Sequence, residues 1–422
     1  MSAPRPAGGP QARPALEPAG APPAFHLLAK PTGSVCNLDC AYCFFLEKER
    51  LYPGQRSHMS DELLERYIRQ LIEAHRAPEV TIAWQGGEPT LMGVDFFRRA
   101  VELAERHRRP GQVLQHTMQT NATLLTDEWC ALLREHRFLV GVSIDGPQAL
   151  HDTYRVDKRG APTFDKVMAG LRLLQQHEVD VNVLCTVNAA NQDYPLDVYR
   201  FFRDDLGLRH VQLIPIVEQD DLSRSVDPVK WGEFLIAVFE EWVRHDVGTV
   251  YVQMFDAALA SWVGAPASMC IFGETCGNAL ALEHNGDLYS CDHFVDPPYL
   301  LGNILHTQMV ELVASPQQRA FGDAKRDTLP RYCIECPVRF ACNGECPKNR
   351  FIATPDGEPG LNYLCAGYRA FFLHVDGVMR LMADRLRAGG FADEVMTMLR
   401  TAPRNEPCPC GSGRKAKVCH AR

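Results

Sequence analysis

The sequence lacks any apolar run that approaches the ~20 residues needed to span a bilayer. It also lacks a signal peptide: residues 1–24 are dominated by Pro, Ala and Gly with no continuous apolar stretch, the composition of a disordered tail. Neither a membrane nor an exported location is therefore expected, and the cytoplasm is the expected compartment. There is no excess of positive charge either. Lys and Arg total 44 against 52 Asp and Glu, and the net charge of -8 gives no reason to expect a nucleic-acid partner. The missing export signal carries a further consequence, because the chain holds 16 cysteines and the cytosol keeps thiols reduced. Metal explains them better than disulfides.

Spacing sorts these cysteines. Three stand at the front (Cys36, Cys40, Cys43), eight fall between Cys270 and Cys365, and three stand with a histidine near the end. Only Cys130, in an amphipathic helical stretch, and Cys185, in an apolar strand, are left over, and both read as buried small hydrophobes. A four-iron cluster on three thiolates keeps one iron without a protein ligand, able to bind and reduce something else. A zinc knuckle is the competing use of such a trio, but closed zinc sites take a fourth nearby Cys or His, and the first candidate after Cys43 is His58.

Six β-rich runs, 25–29, 80–84, 113–118, 138–144, 181–187 and 211–216, alternate with helical stretches near 61–75, 95–107, 127–135, 164–177 and 195–206. Ser60 before Asp61 and Glu62 marks a helix start. Such alternation predicts an α/β fold, a parallel barrel of six βα units whose chemistry gathers at the C-terminal strand ends. The unusual residues fall at those ends: the three-cysteine loop, then Gln85-Gly86-Gly87-Glu88-Pro89, then Gln119-Thr120-Asn121, then Ser143-Ile144-Asp145-Gly146. Each alone fits a turn or a cap as well.

CxxxCxxC after the first strand and GGEP after the second resemble the radical S-adenosylmethionine enzymes. That resemblance implies a 4Fe-4S cluster on Cys36, Cys40 and Cys43, with S-adenosylmethionine chelated to its open iron. It sets Gln85, Gly86, Gly87 and Glu88 along the cofactor, the last three against the methionine amino group, and Ser143 and Arg155 at its ribose and carboxylate. For Arg155 a surface salt bridge is the equal alternative.

Downstream, Cys270, Cys276 and Cys291 precede Cys333, Cys336, Cys342, Cys346 and Cys365. Eight thiols suffice for two four-thiolate clusters, and a pair of zinc ribbons is the alternative. Asn285-Gly286-Asp287 between two apolar runs reads as a hairpin that brings Cys276 toward Cys291. This arrangement resembles the SPASM extension of peptide-modifying radical enzymes, and its spacing resembles the anaerobic sulfatase-maturating enzymes. The resemblance implies one cluster on Cys270, Cys276, Cys291 and Cys346 and another on Cys333, Cys336, Cys342 and Cys365. It matches Asp292 to the family's base, which would take a thiol or hydroxyl proton as a Cys or Ser of a sulfatase peptide becomes formylglycine. A carboxylate that merely accepts backbone hydrogen bonds is the alternative. Low-potential donors such as flavodoxin or ferredoxin are implied as partners beside the sulfatase or other peptide substrate.

The last segment resembles the SEC-C motif. Cys408, Cys410, Cys419 and His420 offer three sulfurs and a nitrogen, a closed tetrahedral set for Zn2+. Its Arg414, Lys415 and Lys417 suit an acidic partner, or only solvent. The expected order is a tail (1–24), a partial (β/α)6 radical SAM barrel (25–220), a connecting helical segment (221–265), a small cysteine-rich α+β SPASM domain (266–375), a helical linker (376–403) and a zinc tail (404–422). A maturase forming thioether or carbon–carbon crosslinks, and a metal-binding adaptor without catalysis, are the rival functions.

Overall fold

Short apolar runs become parallel strands here because both of their faces are covered. In the computed structural model, which describes residues 18–53 and 58–420, these strands are β1 (His26–Ala29), β2 (Glu79–Trp84), β3 (Val113–Thr120), β4 (Leu139–Ser143), β5 (Asp180–Val187) and β6 (His210–Pro215). They pair side by side in chain order, all parallel. The crossover helices Asp61–Ala74, Val94–His107, Asp127–Glu135 and Phe164–Gln176 lie close to the expected spans. In the first of them Ser60 caps the start, its Oγ accepting from the Leu63 amide at 3.2 Å. Its buried side chains, Leu63, Leu64, Tyr67, Ile68, Leu71 and Ile72, recur at helical spacing on one face. Cys130 and Cys185 are fully buried.

The barrel sheet does not stop at six strands. β7 (Tyr251–Val252) extends it beside β6, within the segment expected to be a helical connection. At the other edge β8 (Ala279–Leu282) pairs in parallel with the whole of β1, His26 opposite Ala279 and Ala29 opposite Leu282. β9 (Asp287–Tyr289) and β10 (Leu300–Asn303) follow in antiparallel order. The expected hairpin turn thus forms, and it belongs to one ten-stranded sheet rather than to a separate layer.

The helices Pro228–His245, Gln253–Val263 and Cys365–Arg387 pack together through Phe239, Phe255 and Phe371, whose ring centroids lie 5.3–6.2 Å apart. Of the expected disordered tail, residues 1–17 lie outside the described residues. Residues 18–24 are tied down, since Arg76 donates from its amide to the Pro23 carbonyl at 2.8 Å and from Nη2 to that of Ala21 at 2.7 Å. No helix among the described residues is long and apolar enough to cross a membrane.

Candidate active site and metal centres

The three-cysteine loop leaves β1 and is pinned to the segment 154–157 across the barrel mouth. Asp39 and Ala41 donate their amides to the carbonyls of Val156 and Tyr154 at 2.8 and 2.9 Å. The three thiols lie within electrostatic reach of one another, and burial pushes that of Cys36 up to about 12. Cys40 and Cys43 are raised by burial too, partly offset by Arg155. Iron must therefore displace protons as it binds. The Leu38 amide donates to Cys36 Sγ at 3.4 Å and Asn121 Nδ2 points at the same sulfur from 3.6 Å.

Gly86 and Gly87 serve the backbone of this loop. The Gly87 and Glu88 amides donate to the carbonyls of Gly33 and Val35, each at 2.9 Å. A Cβ on Gly87 would sit 2.0 Å from the Val35 oxygen, so only glycine lets the two segments meet. The Glu88 carboxylate, expected against a methionine amine, is fully buried and accepts four hydrogen bonds from the protein. Its Oε1 accepts from the Thr90 amide (3.1 Å), Thr90 Oγ1 (2.6 Å) and Thr120 Oγ1 (2.7 Å), and Oε2 from the Asn121 amide (2.8 Å). The side chain ties the end of β3 to the GGEP turn, which leaves contact with a ligand amine to the backbone. Gln85 continues the ladder, its amide donating to the Ala29 carbonyl at 2.9 Å.

Arg155 is not at the surface. It is 6% exposed, delivered by the short helix Gln148–Tyr154 that the sequence pattern did not reveal. Its Nη1 donates to Tyr42 Oη at 2.9 Å, and that hydroxyl donates in turn to Asp145 Oδ2. Its buried Nε has no partner among the described residues. Ser143 Oγ accepts from Gln119 Nε2 at 2.8 Å, so the two residues face each other across β3 and β4.

The downstream thiols gather in the two expected groups. Cys291 lies within electrostatic reach of Cys270 and Cys276, and Cys346 within reach of Cys291 and Cys270. Cys333, Cys336, Cys342 and Cys365 line one pocket together. Burial raises Cys291 and Cys342 to about 12 and Cys365 to about 11. A buried lysine and a half-buried arginine organise the backbone around the first group. Lys325 Nζ donates to the carbonyls of Cys270 and Ile271, each at 2.8 Å, and Arg350 binds those of Gly344, Asn343, Glu345 and Lys325.

Asp292, immediately after Cys291, is 8% exposed and turned toward the barrel. Its Oδ1 lies 2.7 Å from Lys30 Nζ, and Lys30 reaches Glu283 Oε1 at 3.1 Å. The sequence reading missed Lys30 and Glu283. The one signal was a lysine closing the apolar run His26-Leu27-Leu28-Ala29 ahead of a proline.

The tail set is the tightest. The four ligand atoms of Cys408, Cys410, Cys419 and His420 lie within 4.8 Å of one another, and no other group among the described residues does so. Ligands of one tetrahedral zinc stand about 3.5 Å apart; here Cys408 Sγ and Cys419 Sγ each lie 3.3 Å from His420 Nδ1, and Cys410 Sγ lies 3.5 Å from Cys419 Sγ. Glu240 Oε2 backs His420 Nε2 at 3.3 Å. The wider thiol sets suit polynuclear clusters, and this one suits a single ion.

The donor chemistry and the unpartnered Arg155 nitrogen thus fit the groups that the sequence implies. Comparison with known proteins agrees. Family models match at residues 31–202 (Radical SAM superfamily), 270–337 (iron-sulfur cluster-binding domain) and 404–422 (SEC-C motif). A serine-type anaerobic sulfatase-maturating enzyme of Bacteroides thetaiotaomicron is 47% identical over 381 residues, 86% of this chain and 92% of the relative. A cysteine-type enzyme of Clostridium perfringens is 32% identical over 83% of this chain and 96% of its own. The solved structure of native anSMEcpe with bound AdoMet and Kp18Cys peptide superposes with a TM-score of 0.78 at 30% identity, covering 86% of this chain and 99% of that one.

Proposed function

The chain belongs to the anaerobic sulfatase-maturating enzymes, radical S-adenosylmethionine enzymes that oxidise a peptide residue to formylglycine, and from that premise we propose how its own residues divide the work. It uses S-adenosylmethionine and iron–sulfur clusters and acts on a peptide. When bound, these groups supply the abstraction of a hydrogen atom from Cβ of the target residue and accept the one electron that remains.

In our reading Cys36, Cys40 and Cys43 hold the front cluster, and the two downstream sets hold two auxiliary 4Fe-4S clusters. Gln85 and the Gly86, Gly87 and Glu88 backbone line the methionine end of the cofactor. Ser143 faces the ribose, and Arg155 meets the carboxylate through its unpartnered Nε. Asp292 accepts the hydroxyl or thiol proton of the target residue, so that an O–H or S–H bond breaks, the carbonyl or thiocarbonyl forms, and the proton stays on the carboxylate. A thioaldehyde, when cysteine is the target, is then hydrolysed. The observation that carries the assignment is the position of Asp292, buried at the joint of barrel and hairpin beside a cluster thiol.

The identity of 47% to a serine-type relative, against 32% to a cysteine-type one, favours serine as the target. Zn2+ occupies the tail set, and a low-potential flavodoxin or ferredoxin supplies the electrons. Reconstituted protein incubated anaerobically with a Ser-x-Pro-x-Arg peptide is expected to remove the mass of two hydrogens from the serine. A peptide left unchanged while S-adenosylmethionine is cleaved would refute the assignment. A crosslinked peptide would establish the rival maturase instead.

A further inference from the structure

Lys30 packs its Cβ and Cγ against Gly86, 3.0 and 3.2 Å from where a Cβ on that glycine would stand, and carries its ammonium to a pair of carboxylates on the hairpin side. Its side chain is 2% exposed, and a cation is left so deep only when partners compensate its lost hydration. Burial works to lower the pKa of its ammonium, but Asp292 and Glu283 outweigh that and raise it above the ordinary lysine value. Three elements meet on it. β1 ends at Ala29 and brings it into place, and its own amide donates to the Leu282 carbonyl at 2.8 Å. Glu283 follows β8, Asp292 follows β9, and the Phe45 ring of the three-cysteine loop lies 4.9 Å from the ammonium. The ammonium therefore stands between two carboxylates that would otherwise repel each other.

The two Asp292 oxygens differ. Oδ1 is the oxygen in the 2.7 Å ion pair with Lys30 Nζ and has no hydrogen-bond partner among the described residues, which leaves Oδ2 outside that ion pair. The remaining ionisable neighbours do not compete for that oxygen by hydrogen bond: His26, His293, Lys348 and Cys291 act on Asp292 through electrostatic reach alone.

We propose that Lys30 is the positioning residue for Asp292, pinning Oδ1 so that Oδ2 is presented to the substrate hydroxyl or thiol, with Glu283 fixing the ammonium from the other side. This rests on Asp292 as the base. Lys30 acts through Asp292, its ammonium engaged by the two carboxylates. A mere bolt between β1 and the hairpin would support every step of turnover equally, whereas a positioning residue acts on the proton-accepting step and leaves hydrogen-atom abstraction alone.

The test uses the full reconstituted chain with a peptide deuterated at the serine Cβ, counting 5′-deoxyadenosine that carries deuterium, formylglycine, bound iron and the peptide Kd. In Lys30→Met, and in Lys30→Met combined with Glu283→Gln so that no second buried carboxylate is left unpaired, deuterium transfer, iron and Kd are expected to stay within about threefold. Formylglycine per deuterated 5′-deoxyadenosine is expected to fall by about 100-fold, the low end of what a positioned base contributes. Lys30→Arg is expected to recover most of the loss. Adding Lys30→Met to Asp292→Asn should cost nothing further, because the two act as a unit. The proposal is overturned if formylglycine per 5′-deoxyadenosine is unchanged in both lysine variants, or if deuterium transfer and iron fall in parallel with it. If Asp292→Asn alone leaves the ratio unchanged, the reading of Asp292 fails first and takes this proposal with it.

Discussion

Replacing Glu88 with glutamine separates two jobs that the GGEP carboxylate could hold. The structure gives it four donors, three on Oε1 and the Asn121 amide on Oε2 at 2.8 Å. A glutamine keeps the oxygen that serves Thr90 and Thr120 but turns an NH2 toward the Asn121 amide. That leaves two buried donors facing each other, at a cost of about 2 kcal/mol. The strain falls at the end of β3, where Asn121 Nδ2 also donates to Asn37 Oδ1 at 2.9 Å beside Cys36. Local opening of residues 119–123 should then become about 30-fold more frequent, since each 1.4 kcal/mol is tenfold. Amide exchange of that segment, read by mass spectrometry, measures it. The affinity for S-adenosylmethionine should change less than about threefold, because four protein donors already hold the carboxylate, three of them on Oε1. Unchanged exchange together with a tenfold or greater loss of cofactor affinity would refute the reasoning and restore the carboxylate–ammonium contact.

Gly87→Ala forces a methyl group to within 2.0 Å of the Val35 carbonyl, so the cysteine loop must move at a cost of about 3 kcal/mol; iron analysis should show the front cluster lost and the two auxiliary ones kept. Arg155→Lys keeps the charge but not the fork. S-adenosylmethionine affinity by equilibrium dialysis should drop about tenfold, one charge-assisted hydrogen bond, and an unaltered affinity would remove Arg155 from the cofactor site. If the tail set holds the proposed Zn2+, a chelator should speed amide exchange at Glu240 and around Gly377 by at least about tenfold, because His420 backs onto Glu240 at 3.3 Å and the Cys410 carbonyl lies 1.6 Å from where a Gly377 Cβ would stand; exchange that does not respond would refute a structural metal there.

Much of this was legible in the sequence for a simple reason: alternating apolar runs and helical stretches report local periodicity, and spacing sorts the thiols into front, middle and tail groups, although the division of the middle eight came only from the family resemblance. The strands, the cap at Ser60, the hairpin at Gly286 and the buried Cys130 and Cys185 are local signals, and the structure carries them. What stayed hidden depends on pairings between distant segments. Nothing near Lys30 announces that residues 283 and 292 will close over it, because that follows from β8 settling along β1. Arg155 could be named but not placed, since a helix of seven residues carries too little pattern to be seen. Glu88 could be named from the two glycines beside it, but its four protein donors come from Thr90, Thr120 and Asn121, and two of those residues lie more than thirty positions away.

The seam-free sheet has a practical side. β1 is hydrogen-bonded along its full length by β8, so a polypeptide cut before Ala279 would present that strand's amides and carbonyls naked to solvent, an invitation to stack on its own copies. The cofactor half therefore cannot be harvested as a well-behaved fragment. For the same reason the two halves share one sheet, with no crease at the β1–β8 junction along which to swing apart.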